Sequence, residues 1–269
     1  MSVTSNIVRD PWPPLPYQEF AATQYLLHMS LQVLGKLKLK GPFQPQWAEV
    51  PLWLSGRGLT TGPIPYAGGA YEVTADFISH EVRCATSWGF SGHFELGPMS
   101  VAEFAGHLFD LLRNAGVNAS INLMPQEVPH PIAFDEDKER RPYESLLVNN
   151  WWRILLSTQR VMQVFHGRFK GKTPPIGLMW GTLDIRDARY NGRSASPGAE
   201  ADYIRRNAMN EEQMEVGWWS GSSAYPRPAF YSFTYPQPDG IESARASPSV
   251  SRWDSAMGEF LFNYDDLRN

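Results

Sequence analysis

The spacing of apolar and polar residues changes several times along the 269-residue chain, and each change marks an element. A Pro-rich opening (Pro11, Pro13, Pro14, Pro16) leads into a run from Tyr17 to about Leu34. There Phe20, Tyr25, Leu26, Leu27, Met29, Leu31, Val33 and Leu34 occupy more than one helical face. Proline suits the approach to a helix but not its interior, and a helix apolar on most sides is a buried one. Gln24, His28, Gln32 and Lys36 recur every four residues, which gives this helix one polar stripe. Lys36 to Lys40 alternates at strand period and reads as a solvated strand edge guarded by lysines.

Val50–Leu59 reads as a strand with Trp53, Ser55 and Arg57 on one face, since strand side chains alternate. A meander follows: Tyr71, Val73, Ala75 and Phe77 alternate with Glu72, Thr74 and Asp76, and Val82–Thr86 and His93–Leu96 add two strands. Ser100 stands three residues before Glu103, a capping box for a helix to about Asn114, and Gly116 ends it. Ser120–Met124 is a short strand candidate. A long helix after Pro142 carries Leu146, Leu147, Trp151, Leu155 and Met162 at 3–4 spacing and stops near Gly167.

Strands resume at Ile176–Ile185, where Trp180, Thr182 and Asp184 are read on one face. A short helix is predicted over 202–209, and strands at Glu215–Trp219, Ala229–Tyr235 and Gly258–Tyr264. Tyr231, Phe233 and Tyr235 share a face and read as core. Strands and helices come in runs rather than in regular alternation. That predicts an α+β fold: a mainly antiparallel sheet packed against two or three helices, in one domain over 1–269. Residues 1–16 form a Pro-rich arm, and 194–201 and 236–250 are exposed loops.

Composition narrows the function classes. Lys and Arg number 24 against 28 Asp and Glu, a net charge of −4, so a basic nucleic-acid face is not expected. Nowhere do about 18 apolar residues run together, so no membrane span is expected. The opening has no apolar core of a signal peptide, and Cys84 is the only cysteine, so no intrachain disulfide can form. These features predict a cytoplasmic protein with no nucleic-acid or membrane partner.

Familiar motifs are missing or broken. Gly167 to Thr173, GRFKGKT, resembles a phosphate-binding loop but is one residue short, and Pro174-Pro175 remove the donors such a loop needs. It reads as a tight link between helix and strand. The six histidines show no zinc-ligand pair at helical spacing, and no second cysteine exists, so neither metal nor cofactor is predicted. No Gly-x-Ser-x-Gly elbow occurs, and Cys84 inside an alternating strand reads as a buried thiol.

What remains is a constellation of polar groups beside tryptophans. His28 is either a proton-transfer group or a satisfied core histidine. Asp184 is either its carboxylate partner or an ion pair with Arg186, Arg189 or Arg57. The leading expectation is a cofactor-independent lyase, isomerase or cyclase working by acid–base chemistry on a small organic molecule. His28 and Asp184 would move the proton and Arg57 would stabilise negative charge. Gln32, Lys36, Trp53, Trp180, Thr182, Glu212 and Trp218 would line the pocket. The alternatives are a non-catalytic small-molecule-binding or interaction protein, and a metal-dependent hydrolase with dispersed ligands.

Ordered blocks across most of the chain carry a resemblance. They include WPPLPYQEF, LHMSLQVLGKLKL, VPLWLSGRGLTTGPIPY, PQEVPHPIAFDED, GRFKGKTPPIGLMWGTLDIRDARYNGR, VGWWSG and GEFLFNYDDL. The chain resembles a set of bacterial and fungal proteins classified only as a domain of unknown function. The resemblance implies a shared scaffold in which His28, Lys36, Arg57, Glu127, Asp184 and Arg193 are the polar positions to watch. The resemblance also implies that a His-Glu pair often precedes the Gly-aromatic-Trp block, where this chain has Glu211-Glu212.

Overall fold

A single long helix organises the chain, which a computed structural model describes over residues 10–268. That helix, α1 (Tyr17–Lys38), is buried almost without interruption from Leu26 to its end. The alternation at Lys36–Lys40 is therefore not a strand edge. The helix runs through Lys38, and Lys36 and Lys38 are only 3% and 6% exposed. Their ammonium groups lie 5.5 Å from the Phe134 ring and 4.4 Å from the Trp53 ring. Burial pushes both pKa values down to about 8.

Two antiparallel sheets flank this helix where one was expected. The first holds β1 (Trp53–Leu54), β2 (Gly58–Thr60), β4 (Gly69–Asp76), β5 (Glu81–Thr86) and β6 (Ser91–Glu95) in that order, with β3 (Ile64–Tyr66) also on β4. α2 (Val101–Asn114) follows, opened by the Ser100–Glu103 capping box. Gly116, at φ +74°, takes the left-handed conformation that closes it. α3 (Ser145–His166) then leads through Gly167–Thr173 into the second sheet.

That sheet contains β7 (Gly177–Met179), β8 (Asp184–Ser194), β9 (Glu211–Trp219), β10 (Ala229–Tyr235), β11 (Arg252–Asp254) and β12 (Glu259–Asn263), in the order β11-β12-β10-β9-β8-β7. α4 (Tyr203–Ala208), capped by Asp202, precedes β9, and α5 (Tyr264–Arg268) follows β12. Leu52 and Leu178 exchange two backbone hydrogen bonds of 2.9 Å and so join the sheets. One core of apolar side chains runs through both.

Three expected strands differ. Val50–Leu59 is a hairpin: Ser55 N–H donates to the Gly58 carbonyl at 2.8 Å, so Ser55 and Arg57 lie in the turn. Ile176–Ile185 is likewise a hairpin, with Met179 opposite Asp184 and Trp180–Leu183 as its loop. Leu183 takes φ +61° there. A loop breaks strand parity, so Trp180 and Thr182 do not share a strand face with Asp184. Residues 120–124 pair with no strand.

The part of the Pro-rich arm at 1–9, including the residues read for a leader, lies outside the described residues. Residues 10–16 strap α3 to the second sheet. Asn150 and Ser157 donate to the Pro14 and Pro11 carbonyls, Tyr264 donates to Pro13, and Trp12 packs against Phe230 and Tyr264. No helix among the described residues is long and apolar enough to cross a membrane.

Candidate functional site

The polar stripe of α1 grips backbone in three separate segments. Gln24 donates to the Gly221 carbonyl at 2.8 Å. His28 Nε2 donates to the Trp180 and Gly181 carbonyls at 3.1 and 2.9 Å. Gln32 donates to the Gln126 carbonyl and accepts from the Gln126 N–H, both at 2.8 Å, and Lys36 donates to the Met124 carbonyl. Two acceptors face His28 Nε2, so that nitrogen carries the proton. Burial lowers the His28 pKa to about 4, against a smaller opposing effect of the two carbonyls, and the ring is neutral at pH 7.

These grips set the position of Glu127. Gln32 and Lys36 hold residues 124–126, while His28 holds the turn at Trp180-Gly181. The Glu127 carboxyl lies on Gly181: a methyl group there would sit 2.1 Å from Glu127 Oε2. Trp180 is fixed from two sides. Its Nε1 donates to the Val50 carbonyl at 2.9 Å, and its indole fills the space that the missing side chain of Gly35 leaves open.

Beside this turn the second sheet presents a polar face. Register places Asp184 and Arg186 (β8), Gln213, Glu215, Gly217 and Trp219 (β9), Tyr231, Phe233 and Tyr235 (β10) and Glu259 (β12) on the same side. Asp184 is buried and accepts from the hydroxyls of Thr182 and Tyr231, one at each oxygen. Tyr231 reaches it by lying over Gly217, where a methyl group would come within 2.1 Å of the ring. Arg186, also buried, donates to Glu215 at 3.0 Å.

Carboxyl groups here hold their protons unusually well. Burial raises the pKa of Asp184, although Thr182, Tyr231 and Arg186 favour its charged form. Burial also raises Glu215, against the opposing pull of Arg186. Glu127 is open to solvent along part of its length, yet its carboxyl is crowded by protein. That desolvation, with the charges of Asp184 and Asp202, lifts its pKa to about 7. The half-buried Glu259 is lifted to about 7 by burial and by Asp184, Glu215 and Asp254. Two partly accessible carboxyls, both pushed up to about 7, thus feel the charge of a buried one.

Of the residues expected in one pocket, the structure gathers some and disperses others. Thr182 stands beside Asp184. His28, Gln32, Lys36 and Trp180 form the support beneath Glu127, and no hydrogen bond joins His28 to Asp184. Trp53 lies near Gly177 and under Lys38. Arg57 belongs to the other sheet, where it pairs with Asp76. Trp218 points to the opposite side of the second sheet, fully buried and packed on Tyr264; Trp219 takes the place facing Asp184.

Glu212 pairs with Arg193 and Asn191 at the far rim, and Glu211 holds Lys172 at 2.7 Å and Gln46 at 3.1 Å. Glu211 and Glu212 are thus both bound in surface contacts. Tyr231, Phe233 and Tyr235 are not core but half-buried on the Asp184 face. Glu259 had no local motif to mark it, and Glu215 stands in an acidic run before two tryptophans where nothing local says which carboxyl faces the site. Their signal is register, which appears only once the strands are paired.

Among the described residues no three His, Cys, Asp or Glu side chains form a group that could hold a metal ion. A family model described as "Family of unknown function (DUF5996)" matches residues 12–269, and the chain belongs to that family. Neither a curated protein nor a solved structure matches the chain.

Proposed function

We propose that this member of the DUF5996 family uses the polar face of its second sheet for acid–base chemistry on a small organic molecule. The observation that carries the reading is a buried Asp184 held by the hydroxyls of Thr182 and Tyr231, with the Glu127 carboxyl laid on Gly181 of the same loop and pushed up to about 7 by desolvation and by the Asp184 charge. A general acid or base works best when its pKa lies near the working pH, and perturbed carboxyls gather at active sites. Glu127 is the proton carrier, with Glu259 as a second group of similar pKa. Asp184 and Tyr231 orient the substrate and tune its surroundings through their charge and dipole. His28, neutral and committed to backbone, is a positioning residue.

Charge selects the substrate class. The charges of Glu127, Glu215 and Glu259 act on one another through or beside Asp184, and the buried guanidinium of this face, Arg186, is already paired with Glu215. An anion would be repelled; a neutral or positively charged molecule is favoured. Gln213 Oε1 and Trp219 Nε1, both buried on this face, make no hydrogen bond and offer one acceptor and one donor. Trp219, Tyr231, Phe233 and Tyr235 supply an aromatic wall. Lyase, isomerase and cyclase reactions need no more than such proton transfers. With one free, buried cysteine the chain fits a reducing compartment, and a cytoplasmic location is part of this reading.

The test is to incubate the protein with a pool of cellular small molecules in D2O and follow them by mass spectrometry. At least one compound should be converted, or gain carbon-bound deuterium, with the native protein and not with folded Glu127→Gln. Equal change with Glu127→Gln, or no change with either, contradicts the proposal.

A further inference from the structure

The opposite side of the second sheet carries a different kind of cavity. Between α3, β10, β12 and the loop 246–251 lies a space of about 410 Å3, within the roughly 300–1,000 Å3 of small-molecule sites. Trp12, Met162, Phe165, Phe230, Phe260 and Phe262 make it apolar. Thr158, 1% exposed, is among its walls, and its Oγ1 is buried without a hydrogen bond.

The cavity continues onto a charged mouth. Val161 and Phe165 line it and also line the adjoining hollow, whose other walls are Val164 and the arginines Arg160 and Arg168. Both arginines are exposed, and among the described residues neither makes an ion pair. Spaced at 160, 164 and 168, Arg160, Val164 and Arg168 stand in one row along and just beyond α3. An apolar chamber thus opens past two unpaired guanidinium groups, and guanidinium forks match carboxylate and phosphate oxygens.

We propose that this cavity binds a free anionic amphiphile: a single apolar body of moderate size ending in one carboxylate or phosphate. The body lies against Phe230, Phe260 and Phe262, and the head group meets Arg160 and Arg168. The site is separate from the acid–base face and opposite to it in charge preference, so either assignment can fail alone.

The experiment measures binding of octanoate, decanoate, decanol and decyltrimethylammonium by calorimetry, with anionic phosphatidylglycerol vesicles as a further arm. Decanoate should bind one to one, about fourfold tighter per added methylene than octanoate, and tighter than decanol or the quaternary amine. The surface variant Arg160→Glu/Arg168→Glu should weaken decanoate at least tenfold and leave decanol unchanged. Ala246→Trp, which fills the chamber from its loop wall, should weaken both. Equal binding of decanoate and decyltrimethylammonium, indifference to the charge reversal, or binding to vesicles alone would overturn the proposal.

Discussion

Tyr231 donates its phenolic hydrogen to Asp184 by lying across Gly217, so a bond between strands β10 and β8 depends on the absence of a side chain on the strand between them. The contact supplies one of the two hydroxyls that make a buried carboxylate tolerable. Three residues on three strands therefore act as one unit.

Replacing Gly217 by Ala should displace the Tyr231 ring and leave one Asp184 oxygen without its donor. The expected loss, about 1–3 kcal/mol of stability, matches that of Tyr231→Phe. The double variant should be less destabilised than the sum of the two, because both remove the same bond. Denaturant unfolding of the three variants checks this, and full additivity would count against the shared contact.

Gln32→Ala removes both hydrogen bonds to Gln126 and leaves a buried peptide group unpaired, at a cost of about 1–3 kcal/mol. The change should reach Glu127, one residue on. Hydrogen exchange at Gln126 and Glu127 should accelerate, and the Glu127 pKa should fall toward the ordinary carboxyl range as the segment gains water. Unchanged exchange there would show that α1 does not position Glu127.

His28 gives a signed pH dependence. Its pKa is about 4 in the folded chain against about 6.5 for an unperturbed imidazole. Between those values the unfolded chain binds more protons, so this contribution is complete above about pH 6.5 and is lost as pH falls to about 4. Glu127 and Glu259 act in the opposite sense: their raised pKa values favour the folded chain at low pH, an advantage lost as pH rises from 4.5 to 7. Comparing native protein with His28→Gln isolates the histidine. The difference in unfolding midpoint should change between pH 6.5 and 4 and stay flat above it.

Arg57→Ala should produce only a small shift in unfolding midpoint, because the arginine is mostly exposed and Asp76 keeps bonds from the Ile78 and Ser79 N–H groups. Titration of Glu127 and Glu259 should be unaffected. A shift in either would place Arg57 nearer the site than its ion pair implies.

The sequence reveals helices and their ends well, because capping and 3–4 spacing are local. Ser100–Glu103, Gly116 and the long helix before Gly167 can all be read this way. The stripe Gln24-His28-Gln32-Lys36 is equally visible, but its partners are carbonyls 88–197 residues away, so spacing shows that these residues are satisfied without showing by what. Tight hairpins are harder. A two-residue strand such as Trp53–Leu54 leaves no run to count, and the Trp180–Leu183 loop breaks parity without a Pro or Asn-Gly signal. Trp218 and Trp219 are neighbours, and only the pairing of β9 with β8 shows that Trp219 is the one facing Asp184. Glu215 and Glu259 come together only through strand pairing, which no local pattern encodes.

The most direct measurement is the titration of the Glu127 and Glu259 side-chain carboxyls by 13C NMR in the native protein, repeated in Asp184→Asn. Inflections near pH 7 for both, moving downward when the Asp184 charge is removed, are the predicted result. Inflections near 4.5 in the native protein would contradict an acid–base site on this face.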